Sequence, residues 1–346
     1  ERRSSMRVFM TGGSGLIGRH LARRLVDQGH TPIILSRHSD EMRRKLEMRP
    51  YQFVQGDPTT AGRWQQELDG CDVVVNLAGH NLFAERWNAA VKRKIRDSRV
   101  HATQHVAAAI GQARKRPQVL VQGSAIGFYG PHGDEEITET SPSGMDFLSV
   151  VCREWEEASE HVEDMGVRRA VIRTGIVLAP GEGALAKMVL PFKLGPGMPI
   201  GSHGKFGLAT GQQWMSWIHL DDIVGLFLLA IENSQATGPI NGTSPHPVRN
   251  AEFSRALSSV LWKPTAPWRV YLPIGMMPDP VLRIMLGEVA EVITNGQKVM
   301  PTRATALGYH FKYPELLEAL RAVFAPAPKA VEAPRRPMAA AAGHHH

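Results

Sequence analysis

Cysteine is nearly missing from this 346-residue chain: there are two, Cys71 and Cys152, and no CxxC pair. That scarcity excludes a disulfide scaffold and a cysteine-built zinc module, and it fits a reducing cytoplasm. Long apolar runs are missing too. No stretch reaches the roughly 18–20 residues that a membrane helix requires, so a water-soluble protein with no membrane partner is expected. Residues Glu1 to Ser5 lack the apolar centre of a signal peptide. A mature start near Met6 is expected, the first five residues reading as a leader, a remnant or the end of an upstream segment. Basic and aromatic residues are not interleaved, and the net charge of +7 is scattered over amphipathic stretches, with small clusters at Arg2 and Arg3 and at Lys329, Arg335 and Arg336. That distribution does not build a nucleic-acid interface, so no nucleic-acid partner is expected.

What is present is the composition of an ordinary globular protein, 43% hydrophobic and 21% charged. The length suits one large core or two modest ones, since single cores stop growing at roughly 250–300 residues. Short apolar, β-branched runs at 7–11, 32–36, 51–55, 72–77, 118–123 and 168–173 alternate with amphipathic stretches at 16–28, 63–68, 88–113 and 147–165. This alternation predicts an α/β fold, a Rossmann-type doubly wound parallel sheet. After Thr174 comes a Gly/Pro-rich stretch around 195–211, a strand-like segment at 214–220, and helical periodicity at 222–233, 250–261, 279–286 and 314–324. These predict a smaller, mostly helical C-terminal substrate lobe. The expected division is a nucleotide-binding domain over 6–178, a lobe over 179–325 interleaved with the sheet, and a disordered tail with a partial His tag over 326–346. No internal repeat is apparent, and monomer and homodimer both stay open.

The strongest local signal is Thr11-Gly12-Gly13-Ser14-Gly15-Leu16-Ile17-Gly18, lying between a predicted strand and a predicted helix. In that context the spacing has a mechanism. Gly12 makes the tight turn, Gly15 lets the backbone approach a pyrophosphate, and Gly18 lets helix pack on strand. The helix N-terminus then offers free N–H groups and the positive end of its dipole. The second strand ends in Ser36-Arg37, with no carboxylate before Asp40. A hydroxyl plus a guanidinium suits a ribose 2′-phosphate, which points to NADP(H). The alternative for Arg37 is a solvated loop cation.

Four motifs, the glycine turn at 11–18, Asn76-Leu77-Ala78-Gly79, Gly123-Ser124-Ala125 and Trp217-Ile218-His219-Leu220-Asp221-Asp222, together resemble the extended short-chain dehydrogenase/reductases. Arg86-Trp87, Ser98-Arg99, Gly127-Phe128-Tyr129-Gly130, Arg173-Thr174-Gly175-Ile176-Val177-Leu178, Pro199-Ile200-Gly201 and Asn241-Gly242-Thr243-Ser244-Pro245 narrow the resemblance to the atypical "epimerase family" branch (YfcH-like proteins), over about 6–324. The resemblance implies NADP-binding roles for Ser36, Arg37, Leu77, Ala78, Arg99 and Val177, with Asp57 beside the adenine. Asn76 to Gly79 also read as an ordinary strand-end turn, and Arg99 as a surface helix residue.

In the superfamily a Tyr exchanges the proton and a Lys four residues later lowers its pKa. None of the five tyrosines here is followed by such a Lys. Matching the helix at 147–156 to the usual one puts Leu148 near the Tyr position and Cys152 near the Lys. Ser124 is then expected to polarise a substrate oxygen, and Tyr129, or a water, to handle the proton; a packing tyrosine is the alternative. Cys152 reads as a small buried hydrophobe more readily than as a nucleophile. Asp221 and Asp222 read as helix caps, and His101 with His105 lacks a third metal ligand, so no metal is expected. The 195–211 stretch and the Met276–Met285 segment would shape a pocket for a small-molecule substrate. The expected function is an NADP(H)-dependent oxidoreductase or epimerase-like enzyme acting on a small carbonyl or hydroxyl compound. The alternative is a non-catalytic NADP(H)-binding redox sensor or assembly factor.

Overall fold

A computed structural model of the chain describes residues 5–41, 51–194, 211–261 and 295–325. The Gly/Pro-rich stretch at 195–210, the helix expected at 279–286, the Met276–Met285 segment and the tail lie outside the described residues.

In chain order the first half runs β1 (Arg7–Thr11), α1 (Leu16–Asp27), β2 (Thr31–Ser36), β3 (Gln52–Gln55), a 3-10 turn (Arg63–Leu68), β4 (Val73–Asn76), α2 (Ala89–Gln112), β5 (Val119–Ala125), a second 3-10 turn (Ile126–Tyr129), β6 (Glu136–Ile137), α3 (Phe147–Glu157) and β7 (Arg168–Thr174). The second half adds β8 (Ile176–Leu178), α4 (Gly183–Leu194), β9 (Trp214–Met215), β10 (Trp217–His219), α5 (Leu220–Glu232), β11 (Gly238–Gly242), β12 (Val248–Arg249), α6 (Asn250–Leu261), β13 (Lys298–Val299), α7 (Thr302–Ala306) and α8 (Leu316–Phe324).

Seven strands form one parallel sheet in the order β3-β2-β1-β4-β5-β7-β11. Both faces of its centre are covered, which is why central strands such as β1 and β4 carry unbroken apolar runs. In β1, Val8 and Met10 face one core with Leu21, Leu25 and Phe227. Phe9 faces the opposite core with Trp64, Val106 and Ile110. Helix α2 begins where the Asn88 side chain accepts from the amides of Ala90 and Val91, and α3 where Asp146 accepts from Ser149 N. A third core, centred on Trp217, Phe253, Leu257 and Leu320, holds the C-terminal lobe.

The chain steps outward from β1 through β2 to β3, then returns to the other side of β1 for β4. This reversal opens a crevice at the carboxyl ends of β1 and β4, where ligands bind in such sheets. The seventh strand, β11, comes from residues 238–242, so the sheet takes a strand from the second half of the chain. The strand-like segment at 214–220 is two short strands separated by Ser216, and α4 occupies residues for which no element was expected. Among the described residues no helix is long and apolar enough to cross a membrane.

Candidate nucleotide site

The glycine turn is built for close approach. Gly12 adopts φ +64°, and a Cβ there would lie 2.5 Å from the Leu77 carbonyl oxygen. A Cβ on Gly18 would lie 2.3 Å from the Gly12 carbonyl oxygen, so only glycine lets α1 sit this near the turn. Helix α1 starts at Gly15 with no side-chain cap and no acidic residue in its first turn. Its leading amides therefore keep their hydrogen-bonding capacity and the dipole is not offset. Leu16 and Ile17 lean on the core beneath, while Gly13 and Ser14 lie in the turn itself.

Thr11 and Asn76 face inward instead of toward the crevice. The Thr11 hydroxyl donates to Asn76 Oδ1 and accepts from the amides of Leu77 and Ala78, both at 3.2 Å. Asn76 Nδ2 donates to Thr103 Oγ1 (2.8 Å) and Gln122 Oε1 (3.0 Å). This fully buried cluster clamps the ends of β1, β4 and β5 and so fixes the turns at 12–15 and 77–79 relative to each other.

At the end of β2, Ser36 is buried and its Oγ accepts from His38 N at 3.1 Å, while Arg37 is exposed. Gln55 Nε2 donates to the Arg37 carbonyl at 2.6 Å, bracing the loop. Asp57 Oδ1 accepts from the amide and hydroxyl of Thr59 at 2.8 and 2.7 Å. Burial acts to raise the Asp57 carboxyl, but those bonds and the Arg37 guanidinium outweigh it and hold it below its ordinary value.

Arg99, on α2, lies against the turn after β4: a Cβ on Gly79 would sit 3.0 Å from its Cζ. Its Nη1 donates to the Ile95 carbonyl at 2.9 Å, and its guanidinium stands 5.1 Å from the centre of the Trp155 ring. No carboxylate pairs with it among the described residues, and burial pushes its pKa down. A largely desolvated cation with no counter-charge is costly to keep unless an anion joins it. Val177 lies in β8, which pairs with β10, and leans on the core shared with Leu16.

The two residues expected to act on a substrate meet in a buried polar network. Ser124 Oγ donates to Glu156 Oε1 at 2.6 Å. Arg173 holds the same carboxylate with Nε at 2.9 Å and Nη2 at 2.8 Å, and its Nη1 donates to the Tyr129 hydroxyl at 2.9 Å. Tyr129 in turn donates to Asn241 Oδ1 at 2.7 Å and is 1% exposed. Burial raises its pKa, with Arg173 and Asn241 acting in the opposite sense. Glu156 was not singled out in the sequence, although a signal exists: Leu148, Cys152 and Glu156 recur every four residues and share one helix face. Cys152 is buried as a free thiol, and burial, reinforced by Glu156, pushes it up to about 12. It is therefore protonated and inert at neutral pH.

His219 caps α5 by accepting from Asp221 N at 3.0 Å. Asp222, 1% exposed, accepts from the amides of Lys312 and Tyr313 at 2.7 and 2.9 Å, which pins the returning chain to α5. The cap is therefore His219 and not the two acids, and Asp221 Oδ2 instead accepts from Lys312 Nζ at 2.6 Å. Among the described residues no cluster of three or more metal-ligating side chains occurs.

Residues 8–241 match the model of the NAD dependent epimerase/dehydratase family, and residues 277–323 match a domain of unknown function, DUF1731. The chain is 39% identical over 325 residues to the chloroplastic epimerase family protein SDR39U1 homolog of Arabidopsis thaliana, covering 93% of this chain and 88% of that one. It is 37% identical to the epimerase family protein YfhF of Bacillus subtilis, covering 92% and 98%. The crystal structure of human epimerase family protein SDR39U1 with NADPH superposes with a TM-score of 0.77 at 33% identity, over 92% of this chain and 99% of that one. The extended short-chain dehydrogenase/reductase resemblance and the Rossmann fold thus both hold, and the chain belongs to the NAD dependent epimerase/dehydratase family.

Proposed function

We propose that the chain binds NADP(H) in the crevice between β1 and β4 and works as an oxidoreductase or epimerase-like enzyme on a small carbonyl or hydroxyl compound. The observation that carries the nucleotide is the uncapped, acid-free start of α1 behind a turn whose Gly12 and Gly18 leave no room for a Cβ. Thr11 to Gly18 would cradle the diphosphate, with Asn76 setting the turn from below through Thr11. Ser36 and Arg37 would take the 2′-phosphate, and Asp57 would stand by the adenine. Leu77, Ala78, Gly79 and Val177 would line the nicotinamide side. Arg99, with no carboxylate paired to it among the described residues, supports an anionic ligand there. The NADPH in human SDR39U1 is consistent with this choice.

When bound, NADP(H) supplies the hydride. The chain orients ligand atoms at the end of β5 through Ser124, which Glu156 holds in place. Tyr129 shapes that end of the crevice from within the network. We place the protein in the cytoplasm, in keeping with its two buried free thiols.

A second reading, a non-catalytic NADP(H)-binding redox sensor or assembly factor, is favoured by one observation. Ser124 and Tyr129 both give their protons to internal partners, and Leu148 and Cys152 stand where the usual Tyr and Lys would be. The two readings separate when the NADPH-loaded protein is screened against a broad carbonyl panel by nicotinamide absorbance, beside Ser124→Ala. Turnover lost in the variant supports the enzyme. Tight NADPH binding with silence across the panel supports the sensor.

A further inference from the structure

The network at the end of β5 fixes the direction of every proton in it. A guanidinium only donates and a carboxylate only accepts. Arg173 and Glu156 form a bidentate pair at 2.9 and 2.8 Å, with side chains 5% and 10% exposed. The Ser124 hydroxyl, 2.6 Å from Glu156 Oε1, therefore gives its single proton to Glu156. On the other side Arg173 Nη1 donates to Tyr129, whose own proton goes to Asn241 Oδ1. Asn241 is oriented in turn, because its Nδ2 donates to the Met300 carbonyl at 3.0 Å. With an obligate donor and an obligate acceptor at the centre, no reversed arrangement satisfies the set.

We propose that Glu156 is a positioning residue that turns Ser124 into a pure hydrogen-bond acceptor, so that the end of β5 selects a ligand hydroxyl over the corresponding carbonyl. The inference deepens the oxidoreductase or epimerase-like reading and rests on it. Ser124 is itself 4% exposed, and a ligand hydroxyl reaching the end of β5 would donate to the lone pairs that its Oγ keeps. A carbonyl oxygen in the same place sets acceptor against acceptor, which forfeits about one hydrogen bond. Tyr129 does not make good the loss, because its proton is committed to Asn241 and the residue is 1% exposed.

The test uses the full chain, alone and saturated with NADPH, and fluorine NMR line broadening of matched alcohol and ketone probes. One pair is 1-(4-fluorophenyl)ethanol and 4-fluoroacetophenone, with alkyl and cyclic fluorinated pairs completing the panel. Any conversion is visible in the same spectra. The wild type is expected to bind the alcohol of a pair about tenfold more tightly than its ketone, the equivalent of one net hydrogen bond. Ser124→Ala is expected to bring that ratio to about one. Glu156→Gln is expected to narrow it, because Oε1 serves both Ser124 and Arg173 Nε while Oε2 serves Arg173 Nη2, so either orientation of the carboxamide sets its Nε2 against an Arg173 N–H and loosens the hold on the serine proton. If Glu156→Gln does not fold, Glu156→Asp, which draws the carboxylate back from Ser124 by one methylene, takes its place, and an alcohol-to-ketone ratio unmoved in the Glu156 variant overturns the role of Glu156. Ketones bound as well as alcohols by the wild type, a ratio unmoved by Ser124→Ala, or no binding by any pair overturns the proposal. NADPH affinity read on the same samples keeps the two questions apart. Its absence in the wild type defeats the nucleotide reading, whereas intact NADPH binding with an unselective panel defeats only the role of Glu156.

Discussion

Replacing Arg173 by Met leaves the Glu156 carboxylate buried with Ser124 as its one remaining side-chain donor. The two oxygens of Glu156 now take three hydrogen bonds of 2.6, 2.8 and 2.9 Å, and two of the three come from Arg173. Breaking a buried pair by removing one partner costs about 3–5 kcal/mol, because an uncompensated charge stays behind. The guanidinium also lies 3.5 Å from the centre of the Phe128 ring, a desolvated cation–π contact worth about 2 kcal/mol. A total of about 5–7 kcal/mol is expected, a large share of the roughly 5–15 kcal/mol that holds a domain together. Glu156→Leu combined with Arg173→Met behaves differently. Apolar groups of similar volume remove both charges at once, which is close to neutral. What remains is the lost cation–π contact with Phe128, about 2 kcal/mol, and one lost hydrogen bond each at Ser124 and Tyr129, about 1 kcal/mol apiece. The double variant is thus expected to be more stable than Arg173→Met alone. Urea unfolding followed by circular dichroism and tryptophan fluorescence reads both as midpoint shifts at constant slope. The reasoning is refuted if Arg173→Met costs under about 1 kcal/mol, or if the double variant falls by the sum of the two single changes.

Arg37→Ala is expected to weaken NADPH binding at least tenfold, the effect of a lost charge-assisted bond of about 1.5–3 kcal/mol, and to leave NADH binding unmoved. Fluorescence titration with both nucleotides decides, and equal losses count against a 2′-phosphate site. Gly12→Ala places a Cβ 2.5 Å from the Leu77 carbonyl oxygen at φ +64°, so NADPH affinity should fall by more than tenfold, with a lower melting temperature from about 1–2 kcal/mol of backbone strain. Unchanged affinity would mean that the turn does not carry the diphosphate. Burial holds the His219 imidazole below its ordinary value, outweighing Asp221 and Asp222. The unfolded chain then binds the proton first as pH falls, so this contribution is full above about pH 6.5 and is lost toward pH 5. His219→Asn, which keeps a capping side chain and does not titrate, should flatten the fall in melting temperature between pH 7 and 5. Parallel curves for the two proteins would sink the assignment.

The strands at the centre of the sheet were legible because both their faces are buried, which requires unbroken apolar runs such as Val73 to Val75. The glycine turn was legible because glycine at fixed offsets records backbone geometry directly. β11 was not legible. Its sequence, Gly-Pro-Ile-Asn-Gly, has the composition of a turn, and it is a strand because parallel pairing with β7 sets Asn241 beside Arg173. The helix expected over 147–165 is two pieces, α3 and a 3-10 turn at Glu160–Met165, with the Ser159 hydroxyl donating to the Glu156 carbonyl at the break. Ser124 and Tyr129 were visible as residue types, but their partners were not. Glu156 lies 32 positions from Ser124 and Asn241 lies 112 from Tyr129, and only the packing of α3 on β5 and of β11 on β7 brings them together.

One face of α3 decides what proton chemistry this end of the crevice can perform. Leu148 carries no exchangeable proton. Cys152, pushed up to about 12, keeps its proton at neutral pH. Glu156 receives three hydrogen bonds and is enclosed by them. The adjoining hydroxyls of Ser124 and Tyr129 point their protons inward, to Glu156 and Asn241. Each of these groups is satisfied by the protein itself, so a proton passed to or from a ligand here comes from water or from the ligand. A site so arranged holds and orients far better than it exchanges protons. On the proposed reading, the functional weight then falls on the nucleotide crevice and on the hydroxyl-over-carbonyl preference assigned to Ser124.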